Sequence, residues 1–122
     1  MSGSIGAKIW TMTLGHIPLV SEGDEPENTG RDEITILNTG AHAVRVEIEI
    51  FYADRDPVGP YRVEIEARRL RTIRFNDLID PLPILLDTAF AAVVRSSSPV
   101  VAQCRRFESK ASGVSTVLPA IS

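Results

Sequence analysis

Cysteine is almost missing from this sequence: its 122 residues include one, Cys104. A single cysteine closes no internal disulfide, which fits a reducing cytoplasm. Histidine is scarce, with only His16 and His42. Zinc needs three or four ligands at short spacings, and no two of His16, His42 and Cys104 lie close in sequence. They read as surface histidines and a small buried thiol. Long apolar runs are absent too. The longest clean one is Ala89–Val94, far below the ~20 residues that cross a bilayer. The opening MSGSIGAKIW lacks an apolar signal-peptide core, and serine rather than glycine follows Met1. Neither a secretory leader nor a myristoyl anchor is expected, so the predicted location is cytoplasmic.

Catalytic patterns are missing as well. There is no GxxxxGK[ST] phosphate loop, and Gly3 and Gly6 in GSIGAK precede the first strand instead of following one. Asp54 with Asp56, and Asp77 with Asp80, are the carboxylate pairs available for acid/base work. Both pairs sit in turn contexts, where aspartate bonds its own backbone. No GxSxG elbow occurs. The expectation is a protein without enzymatic activity and without a cofactor.

What is present reads as β structure. With 43% hydrophobic and 24% charged residues, the chain has the balance of a soluble globular protein. Its length suits one domain over residues 1–122, with flexible ends at 1–7 and 110–122. Ile9–Gly15 reads as a strand, Val20–Asp32 as a polar loop, and Glu33–Gly40 as a strand running into a turn. Ala43–Tyr52 alternates: Val44, Val46, Ile48 and Ile50 point one way, Arg45, Glu47 and Glu49 the other. ADRDPVGP reads as a turn. Tyr61, Val63 and Ile65 face inward on the next strand, then Ile73 and Phe75 on another. Asn76–Thr88 is a long connection broken by Pro81 and Pro83, with room for one helical turn. Phe90–Ser97 and Pro99–Ser109 read as separate strands, and Gly113–Ile121 as a weaker one. Seven or eight short strands without a βαβ rhythm predict an all-β, antiparallel sandwich. Gln103 shares a face with Val101 and Phe107, so it is expected to point inward and to need a hydrogen-bond partner.

Charge is unevenly spread. Residues 1–60 carry ten acids and four bases, a net −6, while residues 61–122 carry six acids and nine bases, a net +3. Lys110 is the only lysine of the basic half. Arginine's planar fork suits carboxylates, phosphates and interface pairs. Five arginines crowd into PVGPYRVEIEARRLRTIRFNDL. Arg69 and Arg71 share the face of Ile73 and Phe75, which would drive them into the core unless they line a pocket or an interface. Three readings stay open: a solvated face, pairing with a ligand or subunit, and nucleic acid. DNA fits worst, because Glu64 and Glu66 sit alongside and a groove wants an unopposed basic stripe.

Several segments occur in the order and spacing of a known family. They are SIG...W early on, ILN.G, V.IEI.Y.D, DPVGPYR, ARR, RFNDL, DP.PI, DT.FA.V, PVV.Q and R..S, together covering about residues 4–110. In these the chain resembles the soluble transducer of sensory rhodopsin. The matching positions are Trp10, Asn38, Tyr52, Pro60, Tyr61, Arg62, Arg68, Arg69, Arg74, Asn76, Asp77, Asp87, Gln103, Arg106 and Ser109. The resemblance implies a jelly-roll-like sandwich of about eight strands. It implies a cytoplasmic signalling adaptor, assembled as a ring-like homotetramer, that docks on the inner face of a membrane sensory rhodopsin. It also implies an alternative, a module for a sugar-like small molecule; the polar and aromatic residues that a sandwich can gather at one end, Trp10, Tyr61, Arg74, Asn76, Asp77, Gln103 and Arg106, are the candidates to hold it. DNA binding is a weaker third implication. The charge split gives the ring a physical reason, since a head-to-tail contact can set unlike surfaces together. Arg68, Arg69 and Arg71 are the candidates on the positive side, with Glu47 and Glu49 as partners. Two places depart from the family pattern: Leu86 and Cys104 stand where it has histidines.

Overall fold

The computed structural model describes residues 5–15, 31–85, 88–107 and 115–118. Seven strands run through them: β1 (Ala7–Gly15), β2 (Arg31–Asn38), β3 (Val44–Phe51), β4 (Val58–Ile65), β5 (Arg69–Arg74), β6 (Phe90–Phe107) and β7 (Ser115–Leu118). A single 3-10 turn follows β5 at Phe75–Asp77. Every pairing is antiparallel. The all-β antiparallel sandwich expected from the alternation is what forms. β3 illustrates why: Val44, Val46, Ile48 and Ile50 are buried while Arg45 and Glu47 are exposed. Period two, with β-branched residues on the buried side, suits a pleated strand with one wet face.

Seven strands fall within the seven or eight expected, but Phe90–Ser97 and Pro99–Ser109, expected as separate strands, belong to one, the 18-residue β6. This strand joins both layers. Its first part pairs with β3 and β1, in a layer ordered β4-β3-β6-β1. Its last part pairs with β2 and β7, in a layer ordered β5-β2-β6-β7. The serines and Pro99 lie between these stretches: β3 pairing ends at Ser96 and β2 pairing starts at Val101. Opposite them, β1 advances only from Ala7 to Ile9 while β6 moves from Val100 to Arg95. Pro99 therefore sits in a bulge where no ladder N–H is needed, the place a strand tolerates proline. Side chains fill in there, with the Arg45 N–H donating to Ser97 Oγ at 3.0 Å.

β4 begins earlier than expected, inside the segment that reads as a turn. Ile48 pairs with Tyr61 but Ile50 with Val58, so β4 carries one extra residue. Gly59 absorbs it at φ 149, and a Cβ there would lie 2.9 Å from the Ile48 carbonyl oxygen. Only glycine fits such a bulge without strain. Asp32, read as the end of a loop, lies in β2 and is fully buried.

One core cluster draws on β1 to β6, including Met12, Ile36, Ile48, Tyr61, Ile73, Phe90 and Val100. Each such aliphatic or aromatic side chain contributes about 1.5–3 kcal/mol on burial. Phe75 and Phe90 stack with their ring centroids 5.2 Å apart. At one end, buried Asn38 ties two turns together. Its amide nitrogen donates to the carbonyls of His42 (2.9 Å), Ile65 (3.2 Å) and Glu66 (3.1 Å), and its Oδ1 accepts from the Gly40 N–H (2.9 Å). The 65–68 crossing that it holds contains Arg68 at φ 56, a left-handed position unusual for arginine.

Candidate functional site

β4 and β5 are the outer strands of their layers on the same side of the sandwich, joined by the Glu66–Arg68 crossing. They do not pair, and a cleft of about 310 Å³ opens between them and the segment after β5. Buried Tyr61 and Ile73 lie toward the core, and Arg71, Asp77 and Asp80 bring charge to the cleft. The inward parity of Arg71 is thereby explained. It shares the Ile73 side of β5, but at that height the strand borders the cleft and not the core. Arg71 is exposed and donates to the Glu64 carbonyl at 3.0 Å across the gap.

The segment after the cleft is held by polar bonds. Arg74 grips Asp77 with two of its nitrogens, Nε at 3.1 Å and Nη2 at 2.9 Å. Leu78 N–H closes the 3-10 turn onto the Phe75 carbonyl at 3.1 Å. The Tyr61 hydroxyl donates to the Leu82 carbonyl, and Leu85 N–H donates to the Tyr52 hydroxyl at 3.1 Å. Burial, with a smaller push from Tyr52, raises the Tyr61 pKa from 10.0 to about 12. Asn76 Oδ1 is buried in this region without a hydrogen-bond partner among the described residues.

Of the seven residues expected to share a ligand site, Tyr61 and Asp77 line this cleft, and Arg74 and Asn76 are next to it in sequence. Trp10 is elsewhere: half-buried on β1, its indole N–H donates to the carbonyls of Ala7 (3.1 Å) and Val100 (3.0 Å). Gln103 does not point inward. Val100, Ala102 and Cys104 take the core side of β6, leaving Gln103 exposed and in register with Thr35. Apolar residues on both faces of β6 at Val100 and Val101 hid this phase. The Arg106 side chain lies outside what the structure describes; its backbone pairs with Asp32. Cys104 is fully buried, and its thiol pKa is pushed up to about 12 by burial and then by Asp32.

The interface candidates also separate. Arg68 and Arg69 are exposed at the crossing, and Arg69 donates to the Arg68 carbonyl at 3.1 Å. Glu47 and Glu49 face outward from the other layer and have partners within the chain. Arg62 reaches Glu47 at 3.2 Å, and Arg95 reaches Glu49 at 3.2 Å. Glu47, Arg62 and Arg95 border a hollow of about 650 Å³ that also includes Arg45, Glu64, Ser96 and Ser97. On the opposite layer's outer face, Leu37 and Leu70 are exposed and directly opposed. Beyond them Thr35 bonds Thr72 at 2.9 Å, and Arg105 reaches nearly buried Glu33 at 3.0 Å. Among the described residues, no three His, Cys, Asp or Glu side chains gather where a metal could sit. No helix among them is long and apolar enough to cross a membrane.

The sequence profile of the family described as Anabaena sensory rhodopsin transducer matches residues 5–121. The chain belongs to that family. A solved structure of the Anabaena sensory rhodopsin transducer is 47% identical to this transducer-family chain, with a TM-score of 0.77, and covers 84% of this chain and 99% of that one. A second, Thermotoga maritima 1070, has a TM-score of 0.76 at 24% identity over 95% and 96% of the two chains, a likeness of fold alone. No curated protein matches. Sequence reasoning on this transducer-family member had missed two things in the cleft region: the apolar Ile79 and Leu82, and the role of Tyr61 and Tyr52 in fastening the segment that carries them. The signal was the DPLP segment, where two prolines break any helix and leave apolar residues in a connection.

Proposed function

We propose that this chain is a signalling adaptor that works without catalysis on the cytoplasmic side of a membrane, as the partner of a microbial sensory rhodopsin. The observation that carries the reading is the 47% identity to the Anabaena transducer across 99% of that chain. Ordered sheet faces with cross-strand ion pairs suit contact with other proteins better than enclosure of a substrate. The assembly we propose is a homotetramer. Since Glu47 and Glu49 already pair within their own layer, apolar contacts would supply most of its stability, with Arg68 and Arg69 at the rim. Calorimetric titration into detergent-solubilised Anabaena sensory rhodopsin tests the adaptor role. Saturable binding in the micromolar range is expected, and its absence at tens of micromolar would refute it. Light scattering at low and high salt tests the ring, which a monomer mass in both would rule out.

A second reading is a binding module for a small polar, sugar-like ligand. The cleft beside Tyr61 favours it, because Arg71, Asp77 and Asp80 offer forks for hydroxyls next to an apolar floor. A thermal-shift screen with a sugar library decides. Ligand at about 100 times its Kd should add ~2.7 kcal/mol of stability, and a flat screen would count against the cleft as a site.

A further inference from the structure

The connection from Leu78 to Leu85 turns large apolar side chains toward solvent. Ile79 is 64% and Leu82 57% exposed, and Asp80, Pro81 and Pro83 around them are exposed too. Yet this tip is fastened on both sides. Leu78 and Ile84 are buried in the core at 7% and 5% exposure. Between them act the Leu78 bond to Phe75, the Tyr61 bond to the Leu82 carbonyl and the Tyr52 bond to Leu85 N–H. Most of the ordering cost that a partner would otherwise impose is thus met in the free chain. Apolar side chains held outward in this way belong to an interface, where a few such anchors carry most of the affinity.

Charge selects what covers them. Asp80 sits at the tip between Ile79 and Pro81, exposed and, among the described residues, without a salt bridge. The neighbouring charges are turned elsewhere: Asp77 to Arg74, Arg62 to Glu47, and Arg71 to the Glu64 carbonyl. The tip therefore presents two apolar side chains and one negative charge. Anionic lipid headgroups would repel that charge. The cytoplasmic loops of membrane proteins, enriched in lysine and arginine, would attract it.

We propose that the Ile79–Leu82 tip is the surface by which this chain docks on the basic cytoplasmic loops of its membrane receptor. Ile79 and Leu82 make the apolar contact, and Asp80 takes a lysine or arginine and fixes the register. This rests on the adaptor reading above. The test is binding of the intact chain to Anabaena sensory rhodopsin in nanodiscs, for the unchanged sequence, for the double substitution Ile79→Ser with Leu82→Ser, and for Asp80→Lys. Empty nanodiscs of anionic lipid and light scattering serve as controls. The double substitution should weaken binding about tenfold or more at unchanged oligomeric mass. Asp80→Lys should weaken it about threefold to tenfold at low salt and less at high salt. Full affinity in the double variant overturns this inference and leaves the adaptor reading standing. No binding by the unchanged chain overturns both. Loss of oligomeric mass in the double variant would make the tip a contact between copies. Equal binding to empty nanodiscs would make it a lipid contact. Either result overturns the proposal.

Discussion

Asn38 and Tyr61 are both buried polar side chains that fasten irregular chain, and they do so at opposite ends of the sandwich with opposite results. Asn38 uses its amide on the 40–42 and 65–66 turns, and all its partners are backbone groups of one closed corner. Tyr61, with Tyr52, fastens a segment whose Ile79 and Leu82 remain exposed. Hydrogen bonds near the core can thus either seal an end or hold out a surface. Which of the two occurs depends on where the neighbouring apolar side chains point. At the Asn38 corner the adjoining Ile36, Val44 and Ile65 are buried, and the exposed Leu37 and Leu70 lie on the outer face of regular paired strands; at the tyrosine end the exposed Ile79 and Leu82 lie on the fastened connection itself.

Substitutions can pull the two ends apart. The largest effect is expected at Asn38. Asn38→Ala leaves three carbonyls and one N–H without their partner, and should cost about 3 kcal/mol in urea unfolding while receptor affinity stays unchanged. Alkaline titration comes next and probes the interior on the tyrosine side. Tyr61 and Cys104 have folded-state pKa values of about 12, above ordinary values of 10.0 and 9.0. Both groups stay neutral longer when folded, so the unfolded chain loses protons first. The contribution of these two groups should be level below pH 9.0 and fall as the pH rises toward about 12. Tyr61→Phe should remove the tyrosine share of that fall.

At neutral pH, Tyr61→Phe should cost less than Asn38→Ala, about 1–2 kcal/mol. Because the tip loses its tie at Leu82, this smaller change should weaken receptor binding when the larger one does not. The smallest effect is expected at Arg68, whose φ of 56 suits glycine. Arg68→Gly should raise stability by up to about 1 kcal/mol, read as a small upward shift in the urea midpoint.

Layer geometry limited what the sequence could tell. The alternation in β3 was fully legible, because Val44 to Ile50 switch cleanly between apolar and charged. β6 was not, since Ser96–Pro99 looks like a break when its pairing partners are unknown, and the change from one layer to the other is a long-range fact. The same limit placed Gln103 on the wrong face. The parity of Arg71 was read correctly, but its meaning depended on the cleft left by two unpaired outer strands. Of the candidate site, Tyr61 and Asp77 were found by residue type. Trp10 was drawn in by the same rule, although its N–H is used within the fold. Ile79 and Leu82 escaped notice because apolar residues in a connection look like core until their exposure is known.

The contrast between the two ends is tested most directly by hydrogen exchange of the intact chain, with and without Anabaena sensory rhodopsin in nanodiscs. Receptor-dependent protection should appear in the 78–85 amides and be absent at 38–42 and 65–68. Protection confined to the Asn38 corner or to the charged face around Glu47, with the 78–85 amides unchanged, would contradict the account.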